Sequence, residues 1–168
     1  MEKRTMRRKK QELTEKEILS VIDRNDYGVL SIAGKDGMPY GVPLNYVYED
    51  GCFYFHCAVE GHKLDLIAEN EKASFCIVDH STVIPETFST DYISVIAFGT
   101  TTRITEDAEK RRTLTLLADV LGIDDEKAKK KEVESAYDRV EMLCFRTEHI
   151  SGKGSMSVIK DKDRFFAE

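Results

Sequence analysis

At 168 residues and 19.2 kDa the chain has the length of one domain, and 41% hydrophobic with 33% charged residues excludes a disordered polymer and supports a real core. Its 25 basic and 31 acidic residues leave a formal charge of −6, so sequence-independent nucleic-acid binding has no overall electrostatic support. No apolar run follows the basic cluster Arg7-Arg8-Lys9-Lys10, which argues against a signal peptide or membrane span and for a solvated N-terminus.

Thr14, with Glu17 three residues on, predicts a capped short helix to Asp23 whose buried face carries Ile18, Val21 and Ile22. Tyr27 to Ala33 reads as a strand, closed by a glycine-containing turn at Gly34-Lys35-Asp36-Gly37. Pro39 to Tyr48 is the next strand, with Pro43 marking an edge, a bulge or a ligand-facing stretch. Glu49-Asp50-Gly51 then turns the chain into Cys52 to His56, so these three strands are expected as a meander. Gly61 to Asn70 has helical spacing and Ala73 to Val78 is a strand, while His80 to Asp91 looks like a loop.

Tyr92 to Ile104 is the longest strand candidate, and Gly99 inside it predicts a bulge or a close backbone approach. Helices are expected over Asp107 to Leu121 and Asp125 to Arg139, with Lys127, Lys129, Lys130 and Lys131 on a solvated face. Val140 to Arg146 is a final strand, His149 to Gly154 a flexible polar stretch, and the tail after 154 carries no assignment. The expected fold is mainly β with peripheral helices, a single domain over 1–168 built as a closed or partly closed antiparallel barrel.

The chemistry concentrates between Val42 and Lys63. His62 and Lys63 stand at a helix start, where backbone amides and the dipole favour an anion, so they can complete a phosphate site. The alternative is a solvated lysine beside a surface histidine. His56 closes the preceding strand, and the Glu49-Asp50-Gly51 turn is expected to bring Asn45 nearer Tyr54 than His56, a separation suited to a long planar ligand. Cys57 and His56 point to opposite sides of an extended strand, which disfavours a nucleophilic pair. Cys52, Cys57, Cys76 and Cys144 lack zinc or redox spacing and read as buried free thiols of a cytoplasmic protein. The four histidines share no recurring metal motif, so no metal site is expected.

The joined pattern Gly37-Met38-Pro39-Tyr40-Gly41-Val42-Pro43-Leu44-Asn45-Tyr46-Val47-Tyr48, then Gly51 to Ala58 and Glu60-Gly61-His62-Lys63, resembles the pyridoxamine 5'-phosphate oxidase-like superfamily, nearest its 5-nitroimidazole resistance branch. The resemblance implies a split β-barrel holding FMN at a homodimer interface, with both subunits contributing to each site. It implies flavin contacts from the backbone of Val42, Pro43, Leu44 and Asn45, with Phe55 and His56 on the next strand, and phosphate binding by His62 and Lys63. Ser94 and Lys153 are further candidates at the same interface. His56 is the candidate catalytic residue, orienting an acceptor or supplying a proton.

The implied activity is an FMN-dependent oxidoreductase that takes electrons from an NAD(P)H donor and passes them to a nitroaromatic, quinone or similar planar acceptor. The alternative is a binding protein of the same fold that holds flavin, haem or F420 without turnover. Asn45 stands where pyridoxamine phosphate oxidases carry a lysine, and Tyr40 near their arginine, which argues against vitamin B6 oxidation.

Overall fold

The computed structural model of the protein describes residues 5–166; the first four and last two residues of the expected domain lie outside the described residues. Helix α1 (Glu15–Asp23) begins with the predicted capping box, in which the Thr14 N–H donates to the Glu17 carboxylate at 2.7 Å and the Thr14 hydroxyl accepts from the Glu17 amide. Its Ile18, Val21 and Ile22 are buried.

Seven strands follow among the described residues: β1 (Tyr27–Ala33), β2 (Pro39–Asn45), β3 (Val47–Glu49), β4 (Cys52–Ala58), β5 (Lys72–Ile84), β6 (Ser89–Arg103) and β7 (Val140–Gly154). They form one antiparallel sheet in the order β2-β1-β5-β6-β7-β4-β3. Helix α2 (His62–Glu69) links β4 to β5, α3 (Asp107–Val120) and α4 (Glu126–Ala136) link β6 to β7, and α5 (Met156–Lys160) and α6 (Lys162–Phe166) end the chain.

The expected split barrel is not formed, because the sheet is open, with β2 at one edge and β3 at the other. Neither edge suits closure. Pro39 and Pro43 remove two amide donors from β2, and β3 is only three residues long.

The predicted strand from Pro39 to Tyr48 also divides, at Tyr46, so the meander does not form. The Tyr46 ring is buried, its hydroxyl donates to the Ile22 carbonyl at 2.7 Å, and its N–H donates to the Asp26 carbonyl. This anchoring on the end of α1 draws the chain off β1, and Val47 begins a new ladder with Tyr54 at the opposite edge. The two-residue turn at Asp50-Gly51, both with positive φ, sets that register. Asn45 therefore belongs to the β1 ladder, opposite Tyr27, rather than lying across from Tyr54.

Three other expectations are corrected. The segment from His80 to Asp91 is an extended hairpin, not a loop, because β5 and β6 stay paired to Ile84 and Ser89. The polar stretch 149–154 is strand, since Phe98 to Ile93 pair with it throughout. Lys129 is buried rather than solvated, paired with Asp119 and, at 2.7 Å, with Glu126. Gly99 fulfils its expectation: the register shifts beside it, and a Cβ there would meet the Arg146 carbonyl.

The inner face of the sheet buries Leu30, Phe53, Phe55, Phe75, Val95 and Phe145, closed by apolar side chains of α1 and α2. On the outer face, α3 and α4 cover one end, packing Leu114, Ala118 and Val133 on Cys52, Tyr54 and Met142. The rest of that face is uncovered. This division positions the site.

Candidate functional site

Paired residues share a face of a sheet, so the ladders show where each expected site residue points. Pro43 lies opposite Val29, Asn45 opposite Tyr27, and Ser94 opposite both Val78 and Lys153. All belong to the uncovered outer face. Val42, Leu44 and Phe55 turn inward against the core, which leaves backbone groups as their means of touching a ligand. Asn45 donates its amide to the Asp26 carbonyl at 3.0 Å, and the Lys153 ammonium lies 5.5 Å from the Tyr92 ring centroid.

His56 stands on the same outer face near the end of β4, opposite Met142. It is half-buried, and its Nδ1 is buried without a hydrogen-bond partner. Burial, helped by the positive charge of Lys63, holds its imidazole below the usual histidine range. Cys57 turns into the core, and burial pushes its thiol up, against the influence of Lys63. A buried, protonated thiol facing away from His56 is a poor nucleophile.

The start of α2 completes the arrangement. Gly61 caps it at φ 137, a conformation only glycine adopts readily, and provides no side chain to the amides of the first turn. The Leu64 N–H already donates to the Gly61 carbonyl at 2.8 Å, and the amides ahead of it face outward where an anion can meet them, with His62 and Lys63 alongside. Asp65 in the same turn is the one opposing charge of that turn. The His62 ring meets Tyr40 edge-on, with centroids 5.1 Å apart, so β2 and α2 touch here. The structure thus sets Tyr40 against His62 on the inner side and brings the Lys63 charge within electrostatic reach of His56 on the outer face. Asn45 lies five residues further along β2, roughly 17 Å for an extended strand, and Ser94 and Lys153 lie across the sheet.

Beside His56 opens a cavity of about 490 Å³, walled by Leu114, Leu117 and Ala118 of α3, Val133 of α4 and Val140 of β7, with Glu132 and Arg139 at its rim. The sequence reading missed it. The spacing of Leu114, Leu117 and Leu121 marks a buried stripe, and a stripe lining a cavity has the same spacing as one filling a core. Among the described residues, no three His, Cys, Asp or Glu side chains group as a metal site would require. No helix among them is long and apolar enough to cross a membrane.

An antiparallel sheet with a glycine-capped cationic helix start beneath one edge defines the class. The pyridoxamine 5'-phosphate oxidase pattern matches residues 14–154, from the cap of α1 to the end of β7, and the chain belongs to that family. No curated protein matches it. Among solved structures, one provisionally named a 5-nitroimidazole antibiotic resistance protein, from Bacteroides thetaiotaomicron, is 22% identical, with a TM-score of 0.71 over 85% of this chain and 86% of that one. A conserved hypothetical protein from Mycobacterium tuberculosis is 17% identical, with a TM-score of 0.76 over 89% and 90%. An FAD and heme binding protein from Mycobacterium smegmatis is 21% identical, with a TM-score of 0.70 over 88% and 74%. These likenesses establish a shared fold.

Proposed function

We propose that the protein is a homodimeric flavoprotein of a reducing cytoplasm that binds FMN and serves as an oxidoreductase toward small planar acceptors. The observation that carries this reading is the start of α2, where Gly61 offers no capping side chain to the first-turn amides and His62 and Lys63 stand beside them, with the Lys63 charge felt at His56. The donor set fits a phosphate monoester: backbone amides and an ammonium for the charge, an imidazole for a further hydrogen bond. When bound, the flavin would supply hydride and electron transfer between a nicotinamide donor and a nitroaromatic or quinone. Lys63 and His62 hold the phosphate, and the β2 backbone from Val42 to Asn45 borders the ring. His56, neutral at pH 7, orients the acceptor or gives it a proton.

The uncovered outer face supports the dimer. Tyr27 and Val78 are each 58% exposed, and Val29 and Ile96 lie in the same rows as Pro43 and Ser151. An exposed face on which apolar side chains alternate with Asn45, Ser94, Ser151 and Lys153 suits a self-complementary interface, and it would place Ser94 and Lys153 of both subunits near each flavin.

A yellow protein with a flavin spectrum, bleached by NADH or NADPH and reoxidised by a nitroaromatic, is the expected result. Mass analysis of the released cofactor separates FMN from FAD. A colourless protein that takes up neither flavin would overturn the assignment, and retained flavin without bleaching would leave a carrier in place of an enzyme. Lys63→Ala should weaken FMN binding at least tenfold, through loss of a charge-assisted contact of about 1.5–3 kcal/mol, measured by recovery of flavin fluorescence on dilution.

A further inference from the structure

We infer that the tip of the β5–β6 hairpin docks on a second copy of this chain, with Phe88 of each copy seated in the cleft between β4, α3 and α4 of the other. This deepens the proposed function and rests on its outer-face dimer, to which it adds an aromatic ring supplied across the interface to the cleft that His56 lines.

The hairpin is an arm. β1 pairs with β5 only as far as Cys76, and β7 with β6 only as far as Ile93. Beyond them the pairs from Ser81–Tyr92 to Ile84–Ser89 make a two-stranded ribbon with no strand on either side, and residues 81–90 are exposed except for the partly buried Ile84. A ribbon of that kind is marginal in water unless something packs on it. Its tip is also apolar, with Val83 68% exposed and Phe88 fully exposed. Phe88 holds φ 49 and ψ 42, the left-handed region that bulky residues seldom enter. Glycine or asparagine would serve that turn without strain and without an apolar ring in water. Burying the ring offsets both costs.

The cleft lacks an apolar side chain of its own to fill it. Arg111 of α3 pairs with Glu134 of α4 at 2.7 Å, and Arg112 ties α3 to the sheet through Glu49. Elements pinned in this way ordinarily close over a core with few voids larger than a water. Here about 490 Å³ stays open among Leu114, Leu117, Ala118, Val133 and Val140, ample for a phenyl ring, whose burial removes about 150–250 Å² from water.

Arm and cleft occupy opposite ends of one face. Tyr92, Ser94 and Ile96 alternate onto the outer face, Val78 and Val83 lie in the same rows, and α3 and α4 cover the far end of that face. Ile96 is the midpoint of β6. Phe88 stands eight residues before it and Ile104 eight after it, and the Ile104 amide donates to the carbonyl of Met142, which pairs with His56 beside the cleft. A two-fold contact is reciprocal. An axis crossing β6 at Ile96, at right angles to the strands and between two stacked outer faces, reverses the strand direction. It sets the Phe88 level of each copy against the Ile104 level of the other, both about 27 Å from the axis at about 3.4 Å per residue. Stacked sheets lie about 10 Å apart and a helix is about 10 Å thick, so the arm arrives at the height of α3 and α4 and meets them from the side.

The test replaces Phe88 with the photoreactive analogue p-benzoylphenylalanine in the full chain, prepared at natural abundance and ¹⁵N-labelled. The two preparations are mixed, left to exchange subunits and irradiated. Cross-links joining a light chain to a heavy one, from position 88 to α3, α4 or the end of β4, are expected. Phe88→Ser, at an exposed turn where substitution leaves the fold intact, should weaken the dimer about a hundredfold in sedimentation equilibrium, about tenfold for each of two arms. Ala136→Phe fills the cleft from within and should weaken it similarly; if that variant does not fold, the Phe88 measurements decide. An unchanged dimer in Phe88→Ser, or cross-links that are missing, within one chain or on another surface, would overturn the inference and leave the outer-face dimer standing. A monomeric parent protein would sink both. Cross-links into the cleft from a dimer that survives Ile96→Glu would uphold the arm and sink the outer-face contact alone.

Discussion

His56 combines a buried orphan nitrogen with a nearby ammonium, and that combination sets a pH dependence. Its folded-state value lies below the ordinary value of about 6.5, so between the two the unfolded chain binds the extra proton. Stability is then complete above about pH 6.5 and falls as the solution is acidified through that window. Glu17 and Asp91 are also held below their usual range, Glu17 against the effect of burial by Lys162 and Thr14, Asp91 chiefly by Ser157. As carboxylates they lose their contribution only below about pH 4.5. Urea midpoints measured from pH 7.5 to 5 should therefore decline, and the decline should flatten in His56→Leu; an equal slope in both proteins would refute the assignment to His56. At this scale the sequence was informative where the feature is local. His62 and Lys63 adjoin a glycine helix start, and that geometry is encoded within three residues. Tyr40 against His62, and the cavity that His56 shares with α3, join distant elements and leave no local mark.

Among the elements, the predicted helices α1 to α4 match closely, because apolar spacing and end signals sit within each segment. Strands were harder. A strand's extent depends on its partners, so β5 and β7 run beyond their predicted ends wherever β6 offers a ladder. The division at Tyr46 was hidden inside a continuous apolar run, since only the Ile22 and Asp26 carbonyls at the end of α1 reveal why the chain turns. Tyr46→Phe removes the buried hydroxyl bond and should cost about 1–2 kcal/mol, read as a lower urea midpoint at an unchanged m-value. Gly99→Ala should be harsher. The nearest neighbour of the new Cβ would be backbone, the Arg146 carbonyl oxygen, and the β6–β7 ladder would have to part; a loss above about 4 kcal/mol or failure to fold is expected, and a normal thermal transition would show that the bulge can shift.

For the whole molecule, composition and strand count led to a mainly β fold with peripheral helices, and the sheet agrees, but closure did not follow from them. Whether a curled sheet seals depends on which strands meet at its edges, and the edge strands β2 and β3 owe their positions to a single step in the chain. The uncovered outer face belongs to this scale too. Ile96→Glu places a charge in its middle, flanked by Cys76 and Ser151, and should shift the protein from dimer to monomer in sedimentation while the far-UV spectrum is kept; a monomeric parent protein would refute the interface.

The step at Tyr46 also constrains how the molecule is made. The hairpins β1–β2 and β3–β4 are adjacent in sequence, yet in the sheet they are separated by β5, β6 and β7, the last of which starts at Val140, nearly ninety residues after β4 begins at Cys52. A nascent chain emerging through β6 can pair β1, β2, β5 and β6, while β4 has only β3 beside it. Its own long partner arrives last. The N-terminal half therefore waits on the C-terminal half, and β4, which carries His56, takes its place late, a high-contact-order assembly in which the site is among the final parts to form.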